Sequence, residues 1–197
     1  MERAKIAVMN TSENYRFTFK PVIESQQTLV HEWLKQDYIQ EWIHGAGLQS
    51  TLSGLAKFIQ YYATTQKIDR TSNLTQHWIG YEGEHPFVYL LTSNILKHEV
   101  CEYAKYRKID GLAITLDIFI CDRHYLGRGL AAQIIKEFLI TQFSDGSEVF
   151  IDPEQGNKRA VHVYQKTGFQ IVGEFIASWH PVPHYVMRLD MRKLIDY

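Results

Sequence analysis

The feature that most constrains this chain is an apolar run that ends at a glycine-containing loop and restarts at once as a helix. Gly111 to Cys121 is the most apolar stretch of the sequence, and its length and isoleucine content predict a central strand buried on both faces. Asp122-Arg123-His124-Tyr125-Leu126-Gly127-Arg128-Gly129-Leu130-Ala131 follows. From Gly129 to Phe143, Leu130, Ile134 and Phe138 recur at helical spacing. A strand, a tight loop and a helix in immediate succession point to an α/β layering. Without side chains at Gly127 and Gly129, a phosphate can approach the main chain, and a helix N-terminus offers unpaired N–H groups and a positive dipole end. The competing reading is an ordinary strand-to-helix turn. No Lys-Ser/Thr pair follows the glycines, and the three-glycine dinucleotide pattern is absent.

The remaining segments fit around this unit. Residues 1–14 read as a flexible leader, and 15–197 as one domain. Tyr15 to Pro21 alternates aromatic with polar residues, a half-buried strand stopped by proline. Leu29/Trp33 and Val30/Leu34 are i,i+4 pairs, and Ile39, Trp42 and Ile43 carry the helical pattern on until Gly45 and Gly47 break it. A second helix is expected from about Ser53, with Leu55, Phe58, Ile59 and Tyr62 on one stripe. His77 to Leu91 reads as a hairpin turning at Glu82-Gly83. Ser93 to Asp110 is polar, mixed in charge and without a clear period. Val149 to Asp152 is a short strand ended by Pro153, and Asn157 to Thr167 a helix closed by Gly168. Phe169–Phe175 and Tyr185–Leu189 form a last strand pair. The expected order is β-α-α-β-β-β-α-β-α-β-β.

Composition narrows the function classes. Lys+Arg 21 against Asp+Glu 22 leaves a net charge of -1, so no global basic field attracts nucleic acid or an anionic membrane. No run of about 18 apolar residues suits a membrane span, and the N-terminus lacks the apolar stretch of a signal peptide. Cys101 and Cys121 have no metal-like spacing, which favours a reducing cytoplasm over a disulfide scaffold. Neither sits at a helix N-terminus that would activate it. His180 and His184 are four apart, but Pro181 and Pro183 exclude a helix between them. No metal is expected. Monomer and homodimer both stay open.

About thirty residues past the glycine loop stands Asn157-Lys158-Arg159-Ala160, then Tyr164-Gln165-Lys166-Thr167-Gly168-Phe169. Together with the loop these segments resemble the GNAT family of acetyl-CoA-dependent N-acetyltransferases, whose hallmarks are Gln/Arg-x-x-Gly-x-Gly/Ala and Asn-x-x-Ala…Tyr-x-Lys-x-Gly-Phe. One departure is visible: His124 holds the Gln/Arg position, with Arg123 one place early. His31-Glu32-Trp33-Leu34, Ile39-Gln40-Glu41-Trp42 and the hairpin Ile79 to Pro86 look like the corresponding parts of aminoglycoside 6′-N-acetyltransferases. Asp117 and the Asp152-Pro153 pair sit where that subfamily carries acidic residues. The resemblance spans about Tyr15 to Leu189 and is poorest from Ser93 to Asp110. It implies an α/β GNAT fold, with a single mixed, mostly antiparallel central sheet flanked by helices.

It also implies roles. Main-chain groups of Ile118, Phe119 and Ile120 would pair with the pantetheine arm of acetyl-CoA like an extra strand. The loop residues His124, Gly127, Arg128, Gly129, Leu130 and Ala131 would hold the pyrophosphate, and Asn157 the pantetheine amides. Asn157 can equally be a helix N-cap, or both. Asp117 would take the proton of the acceptor amine, directly or through water; the alternative is a carboxylate tied up by local hydrogen bonds. Tyr164 would protonate the departing thiolate, or else pack in the core. For a polycationic acceptor, Asp117, Asp152, Glu154, Glu99 and Glu102 are candidate carboxylates, with Trp42 an apolar face for sugar rings. Lys105, Arg107 and Lys108 beside Glu99 and Glu102 favour a solvated mixed-charge loop there. The expected reaction is acetyl transfer to a small-molecule primary amine, most naturally the 6′-amine of an aminoglycoside. The alternatives are a GNAT acylating a hydroxylamine or polyamine, as in hydroxamate siderophore assembly, and a non-catalytic acyl-CoA-binding module. Retention of both Asp117 and Tyr164 speaks against the last.

Overall fold

In the computed structural model, residues 15–97, 101–177 and 181–195 are described. The elements in chain order are β1 (Phe17–Pro21), α1 (Gln27–Leu34), α2 (Asp37–Gln40), α3 (Gly45–Thr65), β2 (Gln76–Glu82), β3 (His85–Asn94) and β4 (Leu112–Ile120). Then come α4 (Ala131–Gln142), β5 (Gly146–Ile151), α5 (Lys158–Thr167), β6 (Gln170–Ile176), β7 (Pro183–Asp190) and α6 (Arg192–Ile195). One seven-stranded sheet runs β1-β2-β3-β4-β5-β7-β6. Only β4 and β5 pair in parallel; the other neighbours are antiparallel. The mixed, mostly antiparallel sheet flanked by helices is therefore what the chain builds. The leader expected over residues 1–14 lies outside the described residues.

Strand alternation assigns the layers. Trp78, Val88, Leu90, Ile114 and Leu116 pack with Ile134, Phe138 and Leu139 of α4 and Tyr164 of α5 on one face. On the other, Ile79, Tyr89 and Leu91 pack with Val30, Trp33 and Leu34 of α1 and Leu55 and Ile59 of α3. That second layer covers only part of its face. Over Ala113, Phe150 and Val186 the cover comes from Tyr103 and Tyr106.

Four local expectations change. The single helix expected up to Gly45 is two, because Gln36 is extended (ψ 133°) and its amide donates to the Cys121 carbonyl at 2.8 Å. Tyr38 donates to the same carbonyl at 2.8 Å, so the break docks this layer onto the end of β4. Gly45 and Gly47 open α3 rather than close a helix. Gly45 has φ +52°, and that left-handed turn lets the chain enter α3 eight residues before Ser53. The hairpin turn is Gly83-Glu84, since Glu82 pairs with His85 and Gly83 carries φ +60°. Lastly, β4 is buried only at Ala113, Ile114 and Leu116; from Asp117 to Ile120 its side chains are partly or largely open.

Candidate active site

That opening has a cause in the sheet register. β5 pairs with β4 from Leu112↔Gly146 to Thr115↔Phe150. Past Thr115 the strands diverge, and among the described residues β4 has no ladder partner on that side. Antiparallel pairing with β3 continues to Val88↔Ile120, so one row of β4 main-chain groups is left for another chain or ligand.

Two cavities meet at this split. The larger, about 480 Å³, is lined by Ile118, Phe119 and Ile120, by Gly127, Gly129, Leu130 and Ala131, and by Asn157 and Tyr164. Gly127 (φ +72°) and Gly129 (φ +71°) hold conformations that other residues rarely adopt. A Cβ built on either meets nothing within 4 Å, so the main chain is laid open to the groove. Asn157 caps α5 by accepting from the Ala160 N–H at 3.0 Å while still lining the cavity. The smaller cavity, about 280 Å³, contains Asp117, Asp152, Glu154, Tyr103 and His184, walled by Ile43, His44, Gly47 and Thr51 of the α2–α3 corner. Trp42 and Phe119 line both. Trp42 is 39% exposed, an unusual state for so large an apolar side chain away from a partner.

The electrostatics of the smaller cavity are strained. Asp117 stands open to the cleft yet is surrounded by protein, and this confinement pushes its carboxyl up to about 6. Asp152 is pushed up to about 7 by burial and by the Asp117 charge, against a hydrogen bond from Tyr103 that favours its ionised form. The pair titrates as a unit. Burial and both carboxylates raise Tyr164 above the ordinary tyrosine range, which keeps its hydroxyl protonated. Tyr103 is raised for the same reasons, burial first.

The remaining expected site residues lie elsewhere. His124 is outside the groove lining: its Nδ1 and main-chain N–H both donate to Asp122, at 2.9 and 2.8 Å. His85 donates to the same carboxylate at 2.7 Å. Arg128 sits over the Tyr125 ring, 5.6 Å from its centroid, also outside the lining. Glu102 is exposed and lines neither cavity; Glu99 and His180 lie outside the described residues. Cys121 is buried, and burial raises its thiol well above the ordinary range, leaving it inert.

Tyr103, His184 and Arg159 are the contributors that spacing alone missed. Tyr103 reaches the cavity because its segment is pinned: Tyr106 packs on Gly173, where a Cβ would strike its hydroxyl. The Lys108 N–H donates to Glu148 at 3.1 Å. Glu148 in turn pairs with Arg188 at 3.4 Å. Alternation with the apolar Val149 reads Glu148 as the solvent face of the strand; its burial beside Arg188 and Lys108 is seen only in the structure.

Residues 23–177 match the acetyltransferase (GNAT) domain family. The chain belongs to the GNAT acetyltransferases. A solved aminoglycoside N(6′)-acetyltransferase from Legionella pneumophila is 46% identical with a TM-score of 0.78, over 95% of this chain and 99% of that one. An aminoglycoside N(6′)-acetyltransferase type 1 from Klebsiella pneumoniae is 22% identical over 89% of this chain and 85% of its own length. The spermidine N-acetyltransferase of Vibrio cholerae, solved with CoA and spermine, shares the fold at 12% identity and a TM-score of 0.65, over 91% and 98% of the two chains. The protein is thus an acetyl-CoA-dependent N-acyltransferase. The unpaired edge of β4 and the bare glycine loop are the features that fit a pantetheine arm and a pyrophosphate.

Proposed function

We propose that this GNAT enzyme acetylates an aminoglycoside at its 6′-amine. The observation that carries the reading is the cluster of Asp117, Asp152 and Glu154 in one cavity that opens, past Trp42 and Phe119, onto the cofactor groove. Three carboxylates suit a polycation although the whole chain is near neutral, and the broad face of Trp42 suits a sugar ring. Asp117 lies on β4 immediately before the Ile118–Ile120 edge, so it takes the proton as the amine nitrogen attacks the thioester carbonyl. Its raised pKa brings it close to working pH, where a general base is most effective. The carbon–sulfur bond then breaks, and Tyr164 gives its phenolic proton to the leaving sulfur. Asp152, held by Tyr103, and Glu154 bind the acceptor's other cationic groups. A reaction that draws on acetyl-CoA suits the cytoplasm.

A polyamine would meet the same charges, so the deciding experiment is comparative. Acetyl-CoA consumption is measured with kanamycin, spermidine and a hydroxylamine panel, and the product is located by NMR. Kanamycin turnover with acetylation at the 6′-nitrogen is expected. Turnover of spermidine or a hydroxylamine with none of kanamycin would overturn the aminoglycoside assignment.

A further inference from the structure

The cofactor groove must accept an anion, yet its loop supplies no cation. Arg123 is drawn 4.5 Å above the Tyr38 ring, His124 is bound to Asp122, and Arg128 lies over Tyr125. None of the three lines the groove. Among the described residues that do, the charged or titratable groups apart from Tyr38, Tyr125 and Tyr164 are Glu41, Arg159 and His162. Arg159 and His162 stand three residues apart on α5 and therefore on one helix face. Glu41 belongs to the α2–α3 corner, the end of the groove nearer the acceptor cavity.

Two phosphate environments result. The pyrophosphate is a diester-like anion, which the main-chain N–H groups around Gly127 and Gly129 can meet without a side-chain charge. The ribose 3′-phosphate is a monoester approaching two negative charges at pH 7 and has no such cradle. A planar guanidinium, offering two parallel N–H donors, is the side chain that matches a phosphate dianion. We propose that Arg159, assisted by His162, reads the 3′-phosphate of coenzyme A and makes the enzyme selective for the phosphorylated cofactor. The proposal rests on the groove being the coenzyme A site.

Calorimetric titration of the full-length protein with coenzyme A and with 3′-dephospho-coenzyme A tests it. Wild type should bind coenzyme A about tenfold more tightly than the dephospho form, the usual value of one charge-assisted pair. Arg159→Gln should erase that difference by weakening coenzyme A alone, and Arg159→Lys should restore part of it. Equal weakening of both ligands would move Arg159 to the pyrophosphate and overturn the assignment, as would an unchanged affinity for coenzyme A. Failure of wild type to bind coenzyme A at all would instead sink the reading of the groove. Arg159 is exposed at the start of α5, so its variants should keep the wild-type melting curve.

Discussion

Two carboxylates confined in one cavity cannot both be charged without cost, and that cost divides the work between Asp117 and Asp152. Deprotonation of the pair turns Asp117 into a base and completes the anionic surface for the acceptor. Acceptor kcat/KM should therefore rise with pH through the region near 6 to 7 and level off above it; a profile flat from pH 5 to 8 would remove Asp117 as the base. Asp117→Asn should lower kcat, because it acts on the reacting state, whereas Asp152→Asn should raise KM for kanamycin and leave acetyl-CoA affinity intact. If steady-state kinetics find both variants changed only in KM, proton abstraction by Asp117 is wrong. Tyr164→Phe should cut kcat by about 10²–10⁴-fold, the range for a positioned proton donor, with little change in acetyl-CoA affinity. A near-normal kcat in that variant would return Tyr164 to core packing.

Elements decide which residues can meet, and they explain where the sequence was legible. The apolar period of β4, the glycine loop and the Asn157…Tyr164 spacing along α5 are local signals, so the strand, loop and helices around the cofactor groove could be read directly. Tyr103 and Tyr106 belong to a segment without a period, whose place depends on Glu148 and Gly173, 40 or more residues further on. No local pattern encodes such a partner. Charge alone makes Glu102 a candidate, but the same segment turns Tyr103 to the cavity and Glu102 to solvent. The glycines at 45 and 47 misled for a related reason: glycine marks a change of backbone direction, and only the structure says whether a helix ends or begins there. The pinning can be tested on the element itself. Gly173→Ala places a methyl against the Tyr106 hydroxyl and should loosen the 101–110 segment. Acceptor KM should rise while the Kd for acetyl-CoA stays unchanged; a rise in both would mean the sheet, rather than the segment, had moved.

Across the whole molecule, the acid response sets a core residue against a site residue. His77 is fully buried beneath α3, hydrogen-bonded to the Tyr89 hydroxyl, and burial pushes its pKa down to about 3. Unfolded, it would titrate near 6.5, so the unfolded chain takes up the proton first. Its contribution to stability is present above pH 6.5 and falls by about 2 kcal/mol between pH 7 and pH 5. Asp152 runs the other way. Its folded pKa of about 7 lies above the unfolded value near 3.9, so the native state takes up the proton first and stability rises as pH falls. Between pH 7 and pH 5 that returns about 2 kcal/mol at most, less whatever the open cleft screens. Asp117 is more exposed and adds less. Wild-type stability should therefore change little over this interval, by about 1 kcal/mol or less. Asp152→Asn keeps the shape and the acceptor oxygen for Tyr103 while removing the titration, so the variant should be more stable than wild type at pH 7. It should then lose about 2 kcal/mol on going to pH 5, now that His77 is unopposed. Urea unfolding at both pH values measures all four quantities. A variant as indifferent to acid as wild type would show that the compensation does not exist, and that the strain assigned to Asp152 is not stored in the folded state.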